Sequence, residues 1–436
     1  MRTHDQRRPR TRFGALTLTA ALAAAVAVPA VSVPADAAID ATGWWYPALD
    51  IADAHAAGWT GEGVNIAVIE PQINPEAPAL AGANITTHED FVCDGDVGVT
   101  SEISDDSLHG GDVVQMLVRP FGLDGDTGGI APDATIDVYL FGSIGCGFSP
   151  AADEPSTMGK AIIAAVDGGS DIISISQGMS AGPGDAAAVA YALAHDALIV
   201  SSSPNGSEDE GLTFPVGANG VVSVAAVSET LDLIADEATG EPVVTPEITV
   251  VAPGINIGTV GSNDDWAGLS VGSGSSTAAP LVAGSLALAK QKYPEATSNQ
   301  LIQALIATTA SAQNDLGRDT VNGYGYGLIS LPGLLSSDPM SYPDENPLMD
   351  KESGAPSQAE VDAVNDPQPT ADPESEQGET STPTTSAEAQ EEPSTDGQEN
   401  EGPGALPWII GGGIMLLGVA VVVFSVMRFR RDAGRS

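Results

Sequence analysis

Basic residues are scarce in this chain of 436 residues. Lys and Arg number 15 against 59 Asp and Glu, which gives a formal net charge of −44. Most of the bases lie at the two ends of the chain, so the long region between them is strongly anionic. Such a region repels phosphate backbones and anionic lipid headgroups. The charge therefore argues against nucleic acid as a partner.

Cysteine is also scarce, with only Cys93 and Cys146 in the chain. Two cysteines allow a single intramolecular pairing. In an oxidising compartment, a bridge that closes so long a loop would add about 4 kcal/mol of stability. Two buried free thiols are the alternative. We expect a disulfide bond, because the topology argued next places both residues outside a membrane.

Hydrophobic segments lie beside both basic ends. Residues 1–37 combine an Arg cluster, an apolar run and the sequence Ala-Asp-Ala, which predicts a cleaved signal peptide. An N-terminal anchor that is never cut is the alternative. Residues 405–427 form an uncharged apolar run long enough to cross a bilayer, and the basic tail 428–436 follows it. The positive-inside rule then predicts a cytoplasmic tail and an extracytoplasmic chain before the span.

The composition divides the extracytoplasmic chain in two. Residues 337–404 are rich in Pro, Ser, Thr, Glu and Gln, and offer little that could fill a core. This composition predicts a disordered, self-repelling tether. Residues 38–336 form the folded part, in which no internal repeat is visible.

Apolar runs rich in Val and Ile recur along residues 38–336 and alternate with helical patterns. The runs are VNIAVIE, TIDVYLFG, DIISIS, ALIVSSS, GVVSVAAV and EITVVAPG. Strands that are apolar on both faces and alternate with helices are typical of a sheet covered on both sides. We therefore predict an α/β fold with a doubly wound, mostly parallel sheet.

Functional residues of such a fold lie at the carboxyl ends of its strands. The sequence GLSVG resembles the nucleophile elbow of α/β-hydrolases, but that fold needs a histidine after the serine, and none follows His195. Ser276, in GSGSSTAAPLVAG, is the better candidate. A glycine-rich turn leads there into an Ala-rich helix, whose N–H groups and dipole favour an oxyanion. A simple helix cap is the alternative.

A base and an acid accompany this serine. His109, one of five histidines, precedes two glycines at a predicted helix start, where the backbone can approach closely. A capping role is again the alternative. Glu70 ends the apolar strand Val64 to Ile69 and precedes Pro71. A solvated turn would also explain a carboxylate at that place.

Seven stretches of the chain occur in the order found in the subtilisin-like serine proteases, the subtilases. They are VNIAVIE, HGGDVV, GIAPDATIDVY, DIISISQG, IVSSSPNG, VVAPG and GSSTAAPLVAG. The resemblance covers roughly residues 42–330. The family's serine motif, Gly-Thr-Ser-Met-Ala-x-Pro, is matched from Gly274 to Pro280 with Ser for Thr and Thr for Met. Its His-Gly-Thr motif is matched at His109 and Gly110, and Gly111 departs from it.

The resemblance implies a role for each candidate residue. Ser276 would be the nucleophile, His109 its general base, and Asn205 the side-chain donor of the oxyanion hole. Extended substrate would pair with the edge formed by Ser176, Gln177 and Gly178.

Three residues depart from the family pattern at these places. Glu70 occupies the position of the triad aspartate, with one methylene too many. Pro204 replaces the glycine usual before the asparagine, and Gln177 stands where an apolar residue is common. The last two could reshape the first substrate pocket.

The architecture is similar to that of the mycosins, the membrane-anchored subtilases of type VII secretion. The shared features are a signal peptide, no room for a folding prodomain before Trp44, an acidic tether and one C-terminal span. A type VII secretion complex is the partner that this likeness implies. Calcium is common in subtilases, but the acidic turns CDGDVG and LDGDTGG lack the spacing of a calcium loop. We expect no metal and no cofactor.

The sequence therefore predicts a membrane-anchored, extracytoplasmic serine endopeptidase that cuts polypeptides through an acyl-enzyme. A pseudoprotease that binds peptide or stabilises a secretion complex is the alternative hypothesis. An acidic cell-surface binding protein is a third, but it leaves the ordered motifs unexplained.

Overall fold

The computed structural model describes residues 43–122, 127–142, 154–206, 211, 213–310 and 317–366. In this part of the chain, seven strands form one sheet in which every neighbouring pair is parallel. The strands are β1 (Asn65–Glu70), β2 (Ile85–His88), β3 (Thr135–Leu140), β4 (Ile172–Ile175), β5 (Leu198–Ser202), β6 (Val222–Val227) and β7 (Val250–Pro253). Their order is β2-β3-β1-β4-β5-β6-β7. The chain winds outward from β1 in both directions, so the predicted doubly wound sheet is confirmed.

Helices cover both faces of the sheet. The described helices are α1 (Trp45–Ala48), α2 (Ile51–Ala56), α3 (Asp105–Val118), α4 (Thr157–Asp167), α5 (Asp185–Ala194), α6 (Ser275–Lys292), α7 (Ser298–Ala307), α8 (Leu331–Ser336) and α9 (Gln358–Asn365). Single turns of 3-10 helix occur at Pro78–Leu80 and Pro339–Ser341. A two-stranded antiparallel hairpin, β8 (Ile257–Val260) with β9 (Leu269–Gly272), precedes α6.

Alternate residues of β1 enter two different cores. Ile66 and Val68 pack with α3 and α6 on one face of the sheet, whereas Ala67 and Ile69 pack with α4 and α5 on the other. All four side chains are fully buried. This double burial explains why the four residues before Glu70 are all apolar.

The folded part continues past the predicted boundary at residue 336, as far as Asp366. Leu348 and Lys351 are buried, and the backbone N–H groups of Asn219 and Gly220 donate to Ala355 and Leu348. We call residues 337–366 the strap. Its polar, Pro-containing composition predicted disorder, but a few buried side chains and these backbone hydrogen bonds hold it to the domain.

Lys351 is the most deeply engaged side chain of the strap. Its Nζ donates to the carbonyl oxygens of Val216 and Val221, at 2.8 and 2.7 Å, and to Ser223 Oγ at 2.6 Å. Burial lowers the pKa of Lys351 to about 7. The strap also ends in a helix that packs on the domain, because α9 lies against α5.

Several predicted segments lie outside the described residues. They are the signal peptide 1–37, the chain beyond 366, the span 405–427 and the tail 428–436. Within the described ranges, no helix is both long and apolar enough to cross a membrane. Cys93 is half of a disulfide bond. Cys146 is not among the described residues, so the pairing of the two stays a prediction.

Candidate active site

Residues predicted to carry the chemistry follow three neighbouring strands of the sheet. Glu70 is the last residue of β1, Ser176 directly follows β4, and Asn205 comes three residues after β5. The strand order reverses around β1, and this is the place where doubly wound sheets form a crevice.

Glu70 does not face solvent at the end of its strand. Its side chain is 0% exposed, and its Oε2 lies 2.8 Å from His109 Nδ1. In this hydrogen bond the ring N–H donates and the carboxylate accepts. The longer side chain of glutamate therefore reaches the histidine, and the solvated turn is ruled out.

Helix α3 carries His109 to this carboxylate. Ser104 and Ser107 form a capping box that fixes the start of the helix. A Cβ atom on Gly110 would lie 2.0 Å from the carbonyl oxygen of Gln72, so the glycine lets α3 touch the segment after β1. At Gly111, by contrast, the nearest atom to a Cβ is on the ring of Trp266, at 3.9 Å. There is room for a side chain at Gly111, so crowding does not explain why glycine stands where the family motif has threonine.

The environment of His109 changes its affinity for a proton. Burial lowers the pKa of the imidazole, but the charge of Glu70 and its hydrogen bond raise it, and Asp112 and Asp106 act in the same direction. The net result is a pKa above the usual value for histidine. Asp112, one turn further along α3, is itself affected, since burial raises its pKa to about 6.

Ser276 lies in the first turn of α6, where backbone N–H groups have no partner within the helix. Its Oγ donates to the carbonyl oxygen of Ser176 at 3.2 Å, and Ser176 Oγ donates to the carbonyl oxygen of Ser276 at 2.9 Å. These bonds hold the start of α6 against the end of β4. Among the described residues, no hydrogen bond joins Ser276 to His109.

Asn205 is held by the residue that precedes the serine. Its Oδ1 accepts from the backbone N–H of Ser275 at 2.8 Å and lies 3.0 Å from Ser275 Oγ. The same hydroxyl reaches the carbonyl oxygen of Ser203. Because Ser275 engages the oxygen of the carboxamide, the NH₂ end is the one suited to donate to a substrate. The sequence motif marked Ser275 only as a replacement for threonine, and gave no sign that it orients Asn205.

Gln177 is turned toward the acid and the base. Its Nε2 lies 3.1 Å from His109 Nδ1 and 3.5 Å from Glu70 Oε2. Gly178, the next residue, is exposed. The sequence predicted that Gln177 affects the substrate pocket. The structure shows in addition that Gln177 contacts Glu70 and His109, which the sequence did not reveal.

The described ranges contain no group of three or more His, Cys, Asp and Glu side chains that could hold a metal ion. The turn CDGDVG belongs to these ranges, whereas most of LDGDTGG does not.

Together, these residues bring near one another a hydroxyl, an imidazole hydrogen-bonded to a buried carboxylate, and a carboxamide. Acyl transfer through a covalent intermediate uses groups of these kinds.

Comparison with known proteins gives consistent matches. The model of the subtilase family, Peptidase S8, matches residues 61–327. The minor extracellular protease Epr of Bacillus subtilis is 29% identical over 296 residues, which are 66% of this chain and 40% of Epr. Mycosin-5 of Mycobacterium tuberculosis is 28% identical over 231 residues, which are 45% of this chain and 39% of that protein. The chain thus spans less than half the length of these two relatives.

Among solved structures, the periplasmic assembly from the ESX-5 inner membrane complex contains a similar chain. The TM-score is 0.52 at 25% identity, and the match covers 70% of this chain and 86% of that one.

Proposed function

The chain belongs to the subtilase family, and on that premise we propose that it is a serine endopeptidase that cleaves polypeptides through an acyl-enzyme. The observation that carries this proposal is the 2.8 Å hydrogen bond between Glu70 and His109. A buried carboxylate that accepts from Nδ1 keeps the proton on that nitrogen. The other ring nitrogen, Nε2, is then the one that can act as a base.

The reaction begins when Ser276 Oγ turns from Ser176 to His109 Nε2. As Oγ attacks the scissile carbonyl carbon, its proton passes to Nε2, and the carbonyl oxygen becomes an oxyanion. The amide of Asn205 and the backbone N–H of Ser276, at the start of α6, are the donors that stabilise this charge. The C–N bond then breaks, and the leaving amine takes the proton from Nε2. Water repeats these steps on the ester and releases the acid.

The substrate is proposed to bind as an extended peptide. Ser176, Gln177 and Gly178 follow β4, and an extended chain could pair with their backbone in the manner of an added strand. This mode recognises the peptide backbone and suits an endopeptidase.

We also propose that the enzyme is anchored outside the cytoplasmic membrane. The support is the apolar segment 405–427 with its basic tail, the acidic tether and the apolar N-terminal segment. The similarity to Mycosin-5 and to a chain of the ESX-5 assembly favours a type VII secretion complex as the partner.

A pseudoprotease remains the second candidate, because the hydroxyl of Ser276 is bonded to Ser176 in this structure. If that bond persisted with peptide bound, the fold would bind peptides without cutting them.

A fluorophosphonate probe separates the two functions, because it phosphonylates only a serine activated by its base. We expect the full chain to be labelled, and Ser276→Ala to be unlabelled. Ser336→Ala, which removes an exposed hydroxyl on α8, is the control and should be labelled like wild type. Absence of labelling in a folded wild-type chain would favour the pseudoprotease.

A further inference from the structure

The carboxylate of Glu70 has few partners for a fully buried charge. Within the described residues, His109 Nδ1 and Gln177 Nε2 are the polar side-chain atoms that reach its Oε2, and its Oε1 has no hydrogen-bond partner. A buried carboxylate needs donors, because it has lost its hydration. Gln177, at 3.5 Å, is at the outer limit of a hydrogen bond, so its contribution is mainly that of an oriented amide dipole.

The three polar atoms of Glu70, His109 and Gln177 are consistent with one arrangement of protons. The amide nitrogen of Gln177 has hydrogens and no lone pair to accept one. If the proton of neutral His109 is on Nδ1, both nitrogens direct hydrogens at Glu70 Oε2. If the proton were on Nε2, the lone pairs of Nδ1 and the carboxylate would face each other at 2.8 Å. The first arrangement is therefore favoured.

The orientation of the Gln177 amide follows from the same contacts. With the amide turned over, its carbonyl oxygen would face the Glu70 carboxylate, and two negative groups would be in contact. Glu70 thus selects the NH₂ end, and that end in turn lies 3.1 Å from His109 Nδ1. Its positive dipole opposes the imidazolium form of His109 and favours the neutral ring that a base requires.

We propose that Gln177 is a positioning residue whose NH₂ group lies against both Glu70 and His109 and favours the neutral imidazole over the imidazolium. The catalytic meaning of this role rests on the proposed protease function. The role itself is a property of the three side chains and can be measured without turnover.

The charged groups that act on His109 are all acidic. Glu70, Asp112 and Asp106 raise its pKa. The tip of the β8–β9 hairpin, which packs on α3, carries the exposed Asp264 and Asp265. Helix α6 has Lys290 and Lys292 as its charged residues, at the end remote from Ser276. The NH₂ dipole of Gln177 therefore opposes the effect of these acidic groups, which favour the imidazolium form of His109.

The decisive variants are Gln177→Met, which keeps the length and removes the donor, and Gln177→Glu, which exchanges the donor for an acceptor. Gln303→Met makes the same change on α7, where the amide donates to the backbone carbonyl oxygen of Glu345, and serves as the control. In Gln177→Met we expect kcat to fall about tenfold with a smaller change in KM, because a misplaced base slows the chemical step. We expect the acid limb of kcat/KM to move to higher pH, and to move further in Gln177→Glu.

Nitrogen NMR of the histidines gives the second measurement, in the full chain carrying Ser276→Ala. In a pH titration we expect the protonation midpoint of His109 to lie at higher pH in Gln177→Met than in the chain that keeps Gln177. An unchanged midpoint and an unchanged pH profile of kcat/KM would overturn the proposal. If the midpoint shifts while the parent chain with Ser276 cuts no peptide, the positioning role stands and the protease function fails.

Discussion

Glu70 is one methylene longer than the aspartate that the family places at this position, and the extra length is used to reach His109. The carboxylate already lies at hydrogen-bond distance from Nδ1 with its strand fully paired. Shortening the side chain by one methylene would withdraw the carboxylate by about the length of one C–C bond.

We therefore expect Glu70→Asp to lower kcat/KM by roughly a hundredfold, since a displacement of about 1 Å in a catalytic group has that effect. Glu70→Gln keeps the length but loses the charge, and its loss should approach about 10⁴. The hydrolysis rates of one peptide by wild type and by the two variants measure both losses in kcat/KM. Glu76→Gln, on an exposed turn, is the control. A Glu70→Asp enzyme as fast as wild type would contradict this account of the site.

The pH dependence of activity follows from His109. Its pKa is raised, so the imidazolium persists to higher pH than in an ordinary histidine, and only the neutral ring can take a proton. We expect kcat/KM to rise with pH and to reach half its plateau above the ordinary histidine pKa of about 6.5. Glu70→Gln should move this midpoint to lower pH, because the carboxylate is the main group that raises the pKa. A midpoint that does not move in this variant would remove Glu70 as the cause.

At the scale of elements, the contact between α3 and the segment after β1 decides whether the acid and the base meet. Gly110 and Gly111 are neighbouring glycines of α3 that differ in the space available for a side chain. A Cβ atom on Gly110 would collide with Gln72, whereas one on Gly111 has its nearest neighbour at 3.9 Å.

Gly110→Ala should destabilise the fold by about 1–3 kcal/mol through overpacking, and should weaken labelling by the probe. Gly111→Ala should be neutral or should stabilise by up to about 1 kcal/mol, because alanine suits a helix better than glycine. Thermal unfolding of the two variants tests this pair. Equal stabilities would show that α3 moves freely relative to β1.

The sequence predicted the elements that obey a regular pattern. Strand β1 is apolar on both faces because both faces are buried, and Glu70 and His109 could be placed by the order of motifs. The contact of Gln177 with both could not be predicted, because it depends on the rotamer of one side chain after β4. The strap was missed for another reason: its burial rests on Leu348, Lys351 and backbone hydrogen bonds, which composition does not register.

At the scale of the whole molecule, Lys351 joins the strap to the domain. Removing its Nζ leaves the buried carbonyl oxygen of Val221 without this donor, which costs about 1–3 kcal/mol, whereas the oxygen of Val216 keeps Ser223 Oγ as a donor. The folded pKa is lowered to about 7 by burial, below that of an unfolded lysine. Between these values the unfolded chain binds the extra proton, so the stability of the fold rises with pH, by up to about 1.4 kcal/mol per unit.

We therefore expect Lys351→Met to be destabilising, and more so at pH 9 than at pH 6. Unfolding by denaturant at both values measures the difference. Lys160→Met, which removes an exposed lysine paired with Glu154, is the control and should show little effect. A difference from wild type that widens toward low pH would mean that the buried ammonium is the preferred form.

The strap also decides how the domain would respond to mechanical load. A pull on the chain beyond Asp366 enters the domain through α9, which lies against α5 and is held there partly by Asn365. The force must peel this helix away before it reaches Lys351 and, next to it, the segment at Val216. Phe214, two residues earlier, pairs with Met179 beside the proposed substrate edge. We therefore expect α9 to detach from α5 first under tension, before the pull deforms the substrate edge.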